Sequence, residues 1–317
     1  MSCAADRARA SGLVFFPSVW GISKTPNLLG YSTFFPKALT TTSIASPAIV
    51  DIYHQAFLDH THKASPTMSS QPPTSVAELL ADRTTVLSFS LVLALIVSAY
   101  VLSLATLRRG TSCALRFLFI WHAFDALIHF IFEGSFLYNA LFTYVSLPSF
   151  ATAAPNWLGY TDRLYGSNFG GPENHLAALW RVYAQADSRW GGADATVVSI
   201  ELLTVLLAGP VAAYVAILIA RGDARASIWM IALAVAELYG GFMTFAPEWL
   251  TGSPSLDTSN WVFTWVYLFF FNTLWVWIPM YAIYVSYKDI CNAFDVRTEV
   301  IVASEQKLKR EESKKAR

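Results

Sequence analysis

The chain is poor in charged residues and in cysteine, and both shortages narrow its class. Only 14% of its 317 residues are charged, whereas soluble domains carry about 25%. The 22 acidic residues balance the 22 basic ones, so no basic surface for nucleic acid is expected. Three cysteines without a CxxC spacing exclude a disulfide framework and a cysteine metal site. With 55% hydrophobic residues and a mean hydropathy of +0.43, the chain has the composition of a membrane protein.

Five apolar runs are each long enough to cross a bilayer as a helix, which takes about 20 residues. They cover residues 84–107, 116–140, 196–220, 226–246 and 261–287. Pro210 and Pro279 lie inside runs, as membrane helices tolerate, and Pro247 ends the fourth run. We therefore predict an all-α fold: a polytopic membrane protein with a bundle of five transmembrane helices.

The flanks of the bundle differ from it in composition. Residues 1–80 mix Pro, Ser and Thr without a sustained apolar run or a signal-peptide pattern. We predict a leader over residues 1–80, a membrane domain over 81–292 and a basic tail over 293–317. Met68 offers a second start, so two interpretations of residues 1–67 stay open: a disordered segment or an extension of the gene model.

The basic residues of the short loops predict the orientation. Arg108, Arg109 and Arg116 join the first two runs, Arg221 and Arg225 join the third and fourth, and Lys288 and the tail follow the fifth. All three groups fall on one side if the N-terminus is lumenal and the C-terminus cytosolic. The chain ends Lys314-Lys315-Ala316-Arg317, which has the form of a dilysine retrieval signal. We therefore predict a multi-pass protein of the endoplasmic reticulum membrane.

The segment between the second and third runs, residues 141–195, is lumenal in this topology. Its second half places Leu176, Leu179, Trp180 and Tyr183 at helical spacing, which is typical of an amphipathic helix. We expect this lumenal loop helix to cover the mouth of the bundle at the interface.

Several polar residues interrupt the apolar runs. His129 and Glu133 are four apart in the second run, where His122 and Asp125 lie near the same helical face. An ionisable group at the centre of a membrane helix costs about 2.5–3.5 kcal/mol on insertion scales, so such groups face a protein interior and mark function. At about 1.5 Å per residue, His129, Glu133 and the polar residues of three later runs fall in one layer about 8–16 Å from the lumenal ends. The later members of the layer are Glu201, Thr204, Glu237 and Asn272, with Trp275 one turn beyond.

This layer has the parts for acid–base chemistry on an apolar substrate. A carboxyl group in a low-dielectric pocket keeps its proton more readily, and a His at i+4 spacing can exchange it. A second carboxylate, Glu201, and the face of Trp275 can stabilise positive charge. An acid, a cation stabiliser and a base are what the isomerisation of an alkene requires. Interhelical contact is the other interpretation of such residues, and we favour it for His122 and Asp125 and, taken alone, for Glu237.

The same residues belong to an ordered set of motifs. Residues 128–134 read IHFIFEG and match I-H-x-x-x-E-G, and residues 179–189 match L-W-x-x-Y-x-x-x-D-S-R. Further matches are E-x-x-T at Glu201 and Thr204, G-P at Gly209-Pro210, Y-G at Tyr239-Gly240, and N-x-L-W at Asn272 to Trp275 before Pro279. Over residues 110–290 the chain thus resembles the emopamil-binding protein family, the membrane sterol Δ8–Δ7 isomerases that share the EXPERA domain.

The resemblance implies roles for these residues. His129, Glu133 and Glu201 would be catalytic, the first two handling the proton and Glu201 stabilising the cation. Thr204, Asn272 and Trp275 would line the pocket for the substrate, a sterol or another hydrophobic molecule, and help to stabilise the cation. The family also binds cationic amphiphilic ligands. We also predict Tyr183 and Glu237 as substrate-binding residues. No cofactor and no metal is implied. The chain departs from the family pattern at Gly241, where Asp is common, at Ser135, where a bulky aromatic residue is usual, and in a longer lumenal loop.

Three functions remain open at this stage. The first is a sterol Δ8–Δ7 isomerase, and the second is a non-sterol isomerase or cyclase of a specialised pathway that uses the same acid and cation pocket. The third is a non-catalytic sterol-binding protein. Membrane lipid is an expected partner, nucleic acid is not, and a homodimer is an option that no residue specifies.

Overall fold

The computed structural model describes residues 81–152, 158–171 and 173–316, which all lie in one compact unit. The predicted leader, 1–80, lies outside the described residues. Five of the described helices are long and apolar enough to cross a membrane, which confirms the predicted fold class. These five are α1 (Arg83–Thr106), α2 (Cys113–Phe142), α4 (Ala195–Arg221), α5 (Arg225–Thr251) and α6 (Phe263–Lys315), and a short helix, α3 (His175–Tyr183), precedes α4.

Side chains and glycines at the helix ends explain where the helices begin and stop. Asp82 accepts a hydrogen bond from the backbone N–H of Thr85 at 2.7 Å, and Asp194 caps α4 in the same way. Such caps satisfy N–H groups that have no partner inside the helix. The prediction that Pro247 ends the fourth run is wrong, because α5 continues through it. Gly252, in the left-handed conformation at φ 84°, ends the helix instead.

The second helix lies at the centre of the bundle. Sixty-one per cent of the apolar window of α2 is buried, against 17–33% for the other four spans. α2 packs against α1 and α4, while α5 packs between α4 and α6. The outer faces of α1, α4, α5 and α6 expose large apolar side chains, as lipid-facing helices do. The chemistry-bearing residues of α2 are therefore in the most enclosed part of the molecule.

The last helix is longer than its apolar run. α6 continues without a break from the membrane segment to Lys315, and its side chains beyond Lys288 are mostly exposed. The predicted boundary between residues 292 and 293 falls inside this helix. The division of the chain into domains therefore stays a prediction.

The segment between α2 and α4 contains a hairpin that the sequence did not indicate. Strand β1 (Tyr144–Ser146) pairs antiparallel with β2 (Arg163–Tyr165), so that Tyr144 faces Tyr165. The guanidinium of Arg163 lies 4.7 Å from the ring centre of Tyr144, which is a cation–π contact. The amphipathic helix is present as α3, with Ala177 and Trp180 buried against α1 and α2. Leu176 is exposed, so the buried face is narrower than predicted.

A buried ion cluster holds the end of this segment on α5. Arg189 binds Asp187 through two nitrogens, the shorter contact being 2.6 Å, and donates to the carbonyl of Thr244 at 2.7 Å. Glu248 lies 3.7 Å from the same guanidinium and accepts a hydrogen bond from the backbone N–H of Ser255 at 2.9 Å. The Asp-Ser-Arg motif of the sequence thus joins the segment after α3 to α5 and to the loop between α5 and α6.

Candidate functional site

The His129–Glu133 pair lies in a π-helical segment of α2. Ile128–Glu133 form this segment, and α-helix resumes at Gly134. The imidazole Nδ1 of His129 is 2.5 Å from the carboxylate Oε2 of Glu133, and the His129 side chain is almost fully buried. Short π segments inside α-helices occur frequently at functional sites. The local geometry therefore agrees with a functional role for the pair.

A glycine in α4 allows the two helices to approach at this point. A Cβ atom placed on Gly209 would lie 3.1 Å from the Cβ of His129 and 3.1 Å from the ring of Phe130. Any larger residue at 209 would have to displace one of them. The Gly209-Pro210 motif thus brings α4 against the helix that carries His129.

Glu201 and Thr204 face the pair from α4. The Glu201 side chain is buried, and its Oε2 accepts a hydrogen bond from the hydroxyl of Thr204 at 2.9 Å. A second π segment, Thr204–Ala208, begins at this threonine. The carboxyl groups of Glu201 and Glu133 line the same cavity and interact electrostatically. Glu133 and Glu201, which belong to different transmembrane helices, thus lie on the wall of the same cavity.

Asp125 occupies the other side of His129. Its Oδ1 is 3.3 Å from the imidazole Nε2 and accepts a hydrogen bond from the indole N–H of Trp275 at 2.7 Å. The imidazole is therefore held between two carboxyl groups, Asp125 at Nε2 and Glu133 at Nδ1. The sequence favours an interhelical role for Asp125 and does not indicate its contact with His129. The hydrogen-bond partner of Asp125, Trp275, is 150 positions away in the chain, so the sequence could not indicate that pairing.

Glu237 of α5 joins the cluster next to Asp125. One candidate atom from each of Asp125, His129 and Glu237 lies within 4.8 Å of the other two. Within the residues that the structure describes, neither carboxyl oxygen of Glu237 has a hydrogen-bond partner, and neither has Oδ2 of Asp125. Such a convergence in an apolar interior requires positive charge, from protons or from a cation.

Asn272 and Tyr183 meet at another part of the wall. A third π segment, Phe263–Phe271, ends immediately before Asn272. The amide nitrogen of Asn272 donates to the hydroxyl of Tyr183 at 3.1 Å and to the carbonyl of Leu268 at 2.9 Å. Burial raises the pKa of Tyr183, so the phenol keeps its proton at neutral pH. This contact ties α3 to α6 across the cavity.

One cavity of about 1300 Å³ brings all of these groups together. Ligand pockets for drug-sized molecules typically measure about 300–1,000 Å³, so this one has room for a large apolar ligand. Its wall is mostly aliphatic and aromatic and includes Trp190, which the sequence did not single out. All eight predicted site residues line it: His129, Glu133, Tyr183, Glu201, Thr204, Glu237, Asn272 and Trp275.

The departure at Ser135 has a structural explanation. Its hydroxyl accepts a hydrogen bond from the indole N–H of Trp180 at 2.9 Å. The ring of Trp180 stacks on that of Trp190, with centres 4.8 Å apart. Ser135 thus fixes an aromatic pair that lines the cavity. The other departure, Gly241, also lines the cavity, and a Cβ atom placed on it would meet nothing within 4 Å.

Comparison with known proteins found a matching family model and several similar proteins. Residues 175–286 match the family model of EXPERA, the expanded EBP superfamily. A rice protein named "Probable 3-beta-hydroxysteroid-Delta(8),Delta(7)-isomerase" is 30% identical over 179 residues, which are 56% of this chain and 69% of the rice protein. The 3-beta-hydroxysteroid-Delta(8),Delta(7)-isomerase of Cavia porcellus is 26% identical over 209 residues, or 66% of this chain and 77% of that protein. A protoglabretal synthase of Ailanthus altissima is 30% identical over 137 residues, or 43% and 51%.

Proposed function

Since the chain belongs to the EXPERA superfamily, we propose that it is a membrane-embedded isomerase that moves a ring double bond of a sterol from Δ8 to Δ7. The observation that supports this proposal is the cluster of Glu133, His129 and Glu201 on the wall of a large apolar cavity. Two relatives carry the name of this reaction, although their identity to the chain is 26–30%.

The reaction consists of two proton transfers. A carboxylic acid of the Glu133–Glu201 pair gives its proton to C9, where a C–H bond forms with the electrons of the Δ8 double bond. The cation left at C8 is stabilised by the remaining carboxylate and by the face of Trp275, because such attraction is strongest in a site without water. Loss of a proton from C7 to a carboxylate then forms the Δ7 double bond. Protons and electrons balance without an oxidant or a reductant.

The residues around the acids would position them and the substrate. Asp125 and Glu133 hold the imidazole of His129 from both sides, so that it can take up or release a proton at the acid. The Thr204 hydroxyl orients the Glu201 carboxylate. Tyr183 and Asn272 would bind the sterol at the α3 side of the cavity.

The test is complementation. We expect expression in cells that lack their own Δ8–Δ7 isomerase to convert accumulated Δ8-sterols to Δ7-sterols, as read by mass spectrometry of the sterol fraction. The Glu133→Gln variant, expressed at the same level in the membrane, is the matched control. Persistence of Δ8-sterols in cells with well-expressed wild-type protein would overturn the sterol assignment.

A second candidate keeps the chemistry and changes the substrate. The match to a protoglabretal synthase favours a non-sterol isomerase or cyclase, and so does the open space that Gly241 leaves on the cavity wall. Location of the gene within a biosynthetic gene cluster would favour this candidate, and an isolated locus would argue against it. A non-catalytic sterol-binding protein is the third candidate, for which Glu133→Gln would leave the cellular phenotype intact.

The proposed location is the endoplasmic reticulum, with a lumenal N-terminus and a cytosolic C-terminus. The orientation is supported by the arginines at the α1–α2 and α4–α5 connections and by the basic residues of the last helix. Glycosylation acceptor sites inserted between α2 and α3 should be modified, whereas sites added after Lys315 should not. Modification of the C-terminal sites instead would reverse the topology.

A further inference from the structure

Next to His129, on the side of Asp125, several buried carboxyl oxygens have no hydrogen-bond partner among the described residues. Asp125 is fully buried, and its Oδ2 has no hydrogen-bond partner among the described residues. Both oxygens of Glu237 are buried and equally unpaired there. A buried carboxylate that lacks a partner costs several kcal/mol. The two carboxyl groups therefore need a proton between them, or a cation, to be stable.

The charges around His129 can be counted. Four carboxyl groups surround this imidazole in two pairs, Glu133 with Glu201 and Asp125 with Glu237. His122, the other ionisable group beside Asp125, is fully buried, and neither of its nitrogens has a hydrogen-bond partner in the described part of the chain. An imidazolium at His129 balances one negative charge, so the four acids cannot all be ionised in a low-dielectric interior.

We propose that Asp125 and Glu237 form a second proton-sharing carboxyl pair, and that Glu237 is a second acid–base group of the cavity. One proton bound between Glu237 and Oδ2 of Asp125 would satisfy both residues. Trp275 holds the other oxygen of Asp125 through its indole N–H, which makes Asp125 a positioning residue. Glu237 reaches the cavity wall, whereas Asp125 does not.

This proposal deepens the proposed isomerase function and rests on it for the catalytic role of Glu237. The substrate would then meet an acid–base group at two places on the wall, Glu133–Glu201 and Glu237. The carbon that gains a proton and the carbon that loses one are different atoms. A carboxylic acid at one place gives its proton to the alkene, and the C–H bond at the other carbon breaks toward the carboxylate at the second place. His129 lies between the two pairs and contacts a member of each.

A shared proton has a signature in binding that does not require turnover. The probe is a cationic amphiphile with a single tertiary ammonium group, titrated against purified protein in detergent by calorimetry. In Glu237→Gln the charge stays on Asp125, and in Asp125→Asn it moves to Glu237. Each single variant should therefore bind within about threefold of wild type. The double variant has lost the charge and should bind about 10-fold more weakly or worse.

Two measurements accompany the titration. The infrared band of protonated carboxyl groups in D2O should lose intensity in Glu237→Gln and keep it in Asp289→Asn, a carboxyl-to-amide control at the other end of the bundle. Elemental analysis of the wild-type protein should find no stoichiometric zinc, manganese or iron. A large loss of binding in Glu237→Gln alone would overturn the shared proton, and so would a stoichiometric metal that this variant releases.

The catalytic role of Glu237 is tested by measuring kcat and KM for the proposed isomerase reaction. Glu237→Gln should lower kcat by about 100-fold at a nearly constant KM, and Glu237→Asp should recover part of it. Unchanged kcat would overturn this role while leaving the proton-sharing pair intact. If wild-type protein shows no isomerase activity, the proposed function fails and the catalytic role fails with it, but binding and infrared data still decide the pair.

Discussion

At the scale of single residues, His129 illustrates how a buried titratable group is controlled. Its two ring nitrogens face different carboxyl groups, Glu133 at 2.5 Å and Asp125 at 3.3 Å. Each contact restricts the orientation of the ring. Because the ring is almost fully buried, water cannot substitute for either carboxyl group. Changes to these acids should alter the chemistry before they alter the fold.

The first prediction concerns the proposed acid. Glu133→Gln and His129→Ala should each lower turnover by about 100-fold or more, because general acid–base catalysis typically contributes 10²–10⁴-fold. Both variants should insert and still bind a cationic amphiphile, as measured by membrane fractionation and calorimetry. Loss of insertion, rather than of turnover alone, would make these groups structural.

The second prediction concerns the indole that holds Asp125. Trp275→Phe keeps an aromatic ring but removes the 2.7 Å hydrogen bond to Asp125. Hydrogen bonds to charged groups contribute about 1.5–3 kcal/mol, so kcat should fall by roughly 10- to 100-fold. Trp265→Phe is the matched control, since that indole is exposed on the outer face. Equal effects of the two substitutions would contradict the role of the hydrogen bond.

At the scale of helices, the site depends on local departures from α-helical geometry. His129 and Glu133 lie within one π segment, Thr204 begins a second, and Asn272 follows a third. Hydrophobic periodicity does not reveal such segments, because nearly every position in these runs is apolar. The sequence therefore predicted which helices carry the polar residues, and rise per residue predicted their common depth. It could not predict the directions in which their side chains point.

The third prediction tests the approach of α4 to α2. In Gly209→Ala the new methyl group would lie 3.1 Å from the Cβ of His129, which is closer than ordinary carbon contacts of 3.5–4.0 Å. We expect turnover to fall about 10-fold or more, since small misplacements of reacting groups are costly. Gly110→Ala, which meets nothing within 4 Å and lies away from the cavity wall, should keep activity close to wild type. Unimpaired Gly209→Ala would show that the contact does not position His129.

At the scale of the whole molecule, the five spans could be predicted because bilayer thickness fixes the length of an apolar run. The family motifs contain seven of the eight predicted site residues that line the cavity, and Glu237 stands outside them. The β hairpin escaped prediction because its strands have three residues each, too few for an alternating pattern. The contact of Trp275 with Asp125 escaped because it joins positions 150 apart. Contacts between side chains far apart in the chain can be identified only once the packing of the helices is known.

The fourth prediction concerns the ion cluster that joins the segment after α3 to α5. Arg189→Ala would leave Asp187 and Glu248 buried without their cation. Removal of one partner of a buried ion pair typically costs about 3–5 kcal/mol. We expect a lower melting temperature in detergent and greater proteolysis of the segment between α3 and α4. Arg163→Ala, at a more exposed ion pair, should change the melting temperature little, and the reverse order would contradict the assignment.

In the π segment of α2, the count of residues, as well as their type, determines how the side chains of the site are oriented. A π segment holds about one residue more than an α-helix in nearly the same total rotation, so deleting one position from Ile128–Glu133 would restore regular winding and remove the bulge. Hydropathy and length would still suit a bilayer, yet a deletion between His129 and Glu133 would leave these residues three apart and alter their contact. For this protein, a single-codon deletion is therefore a more disruptive change than many substitutions.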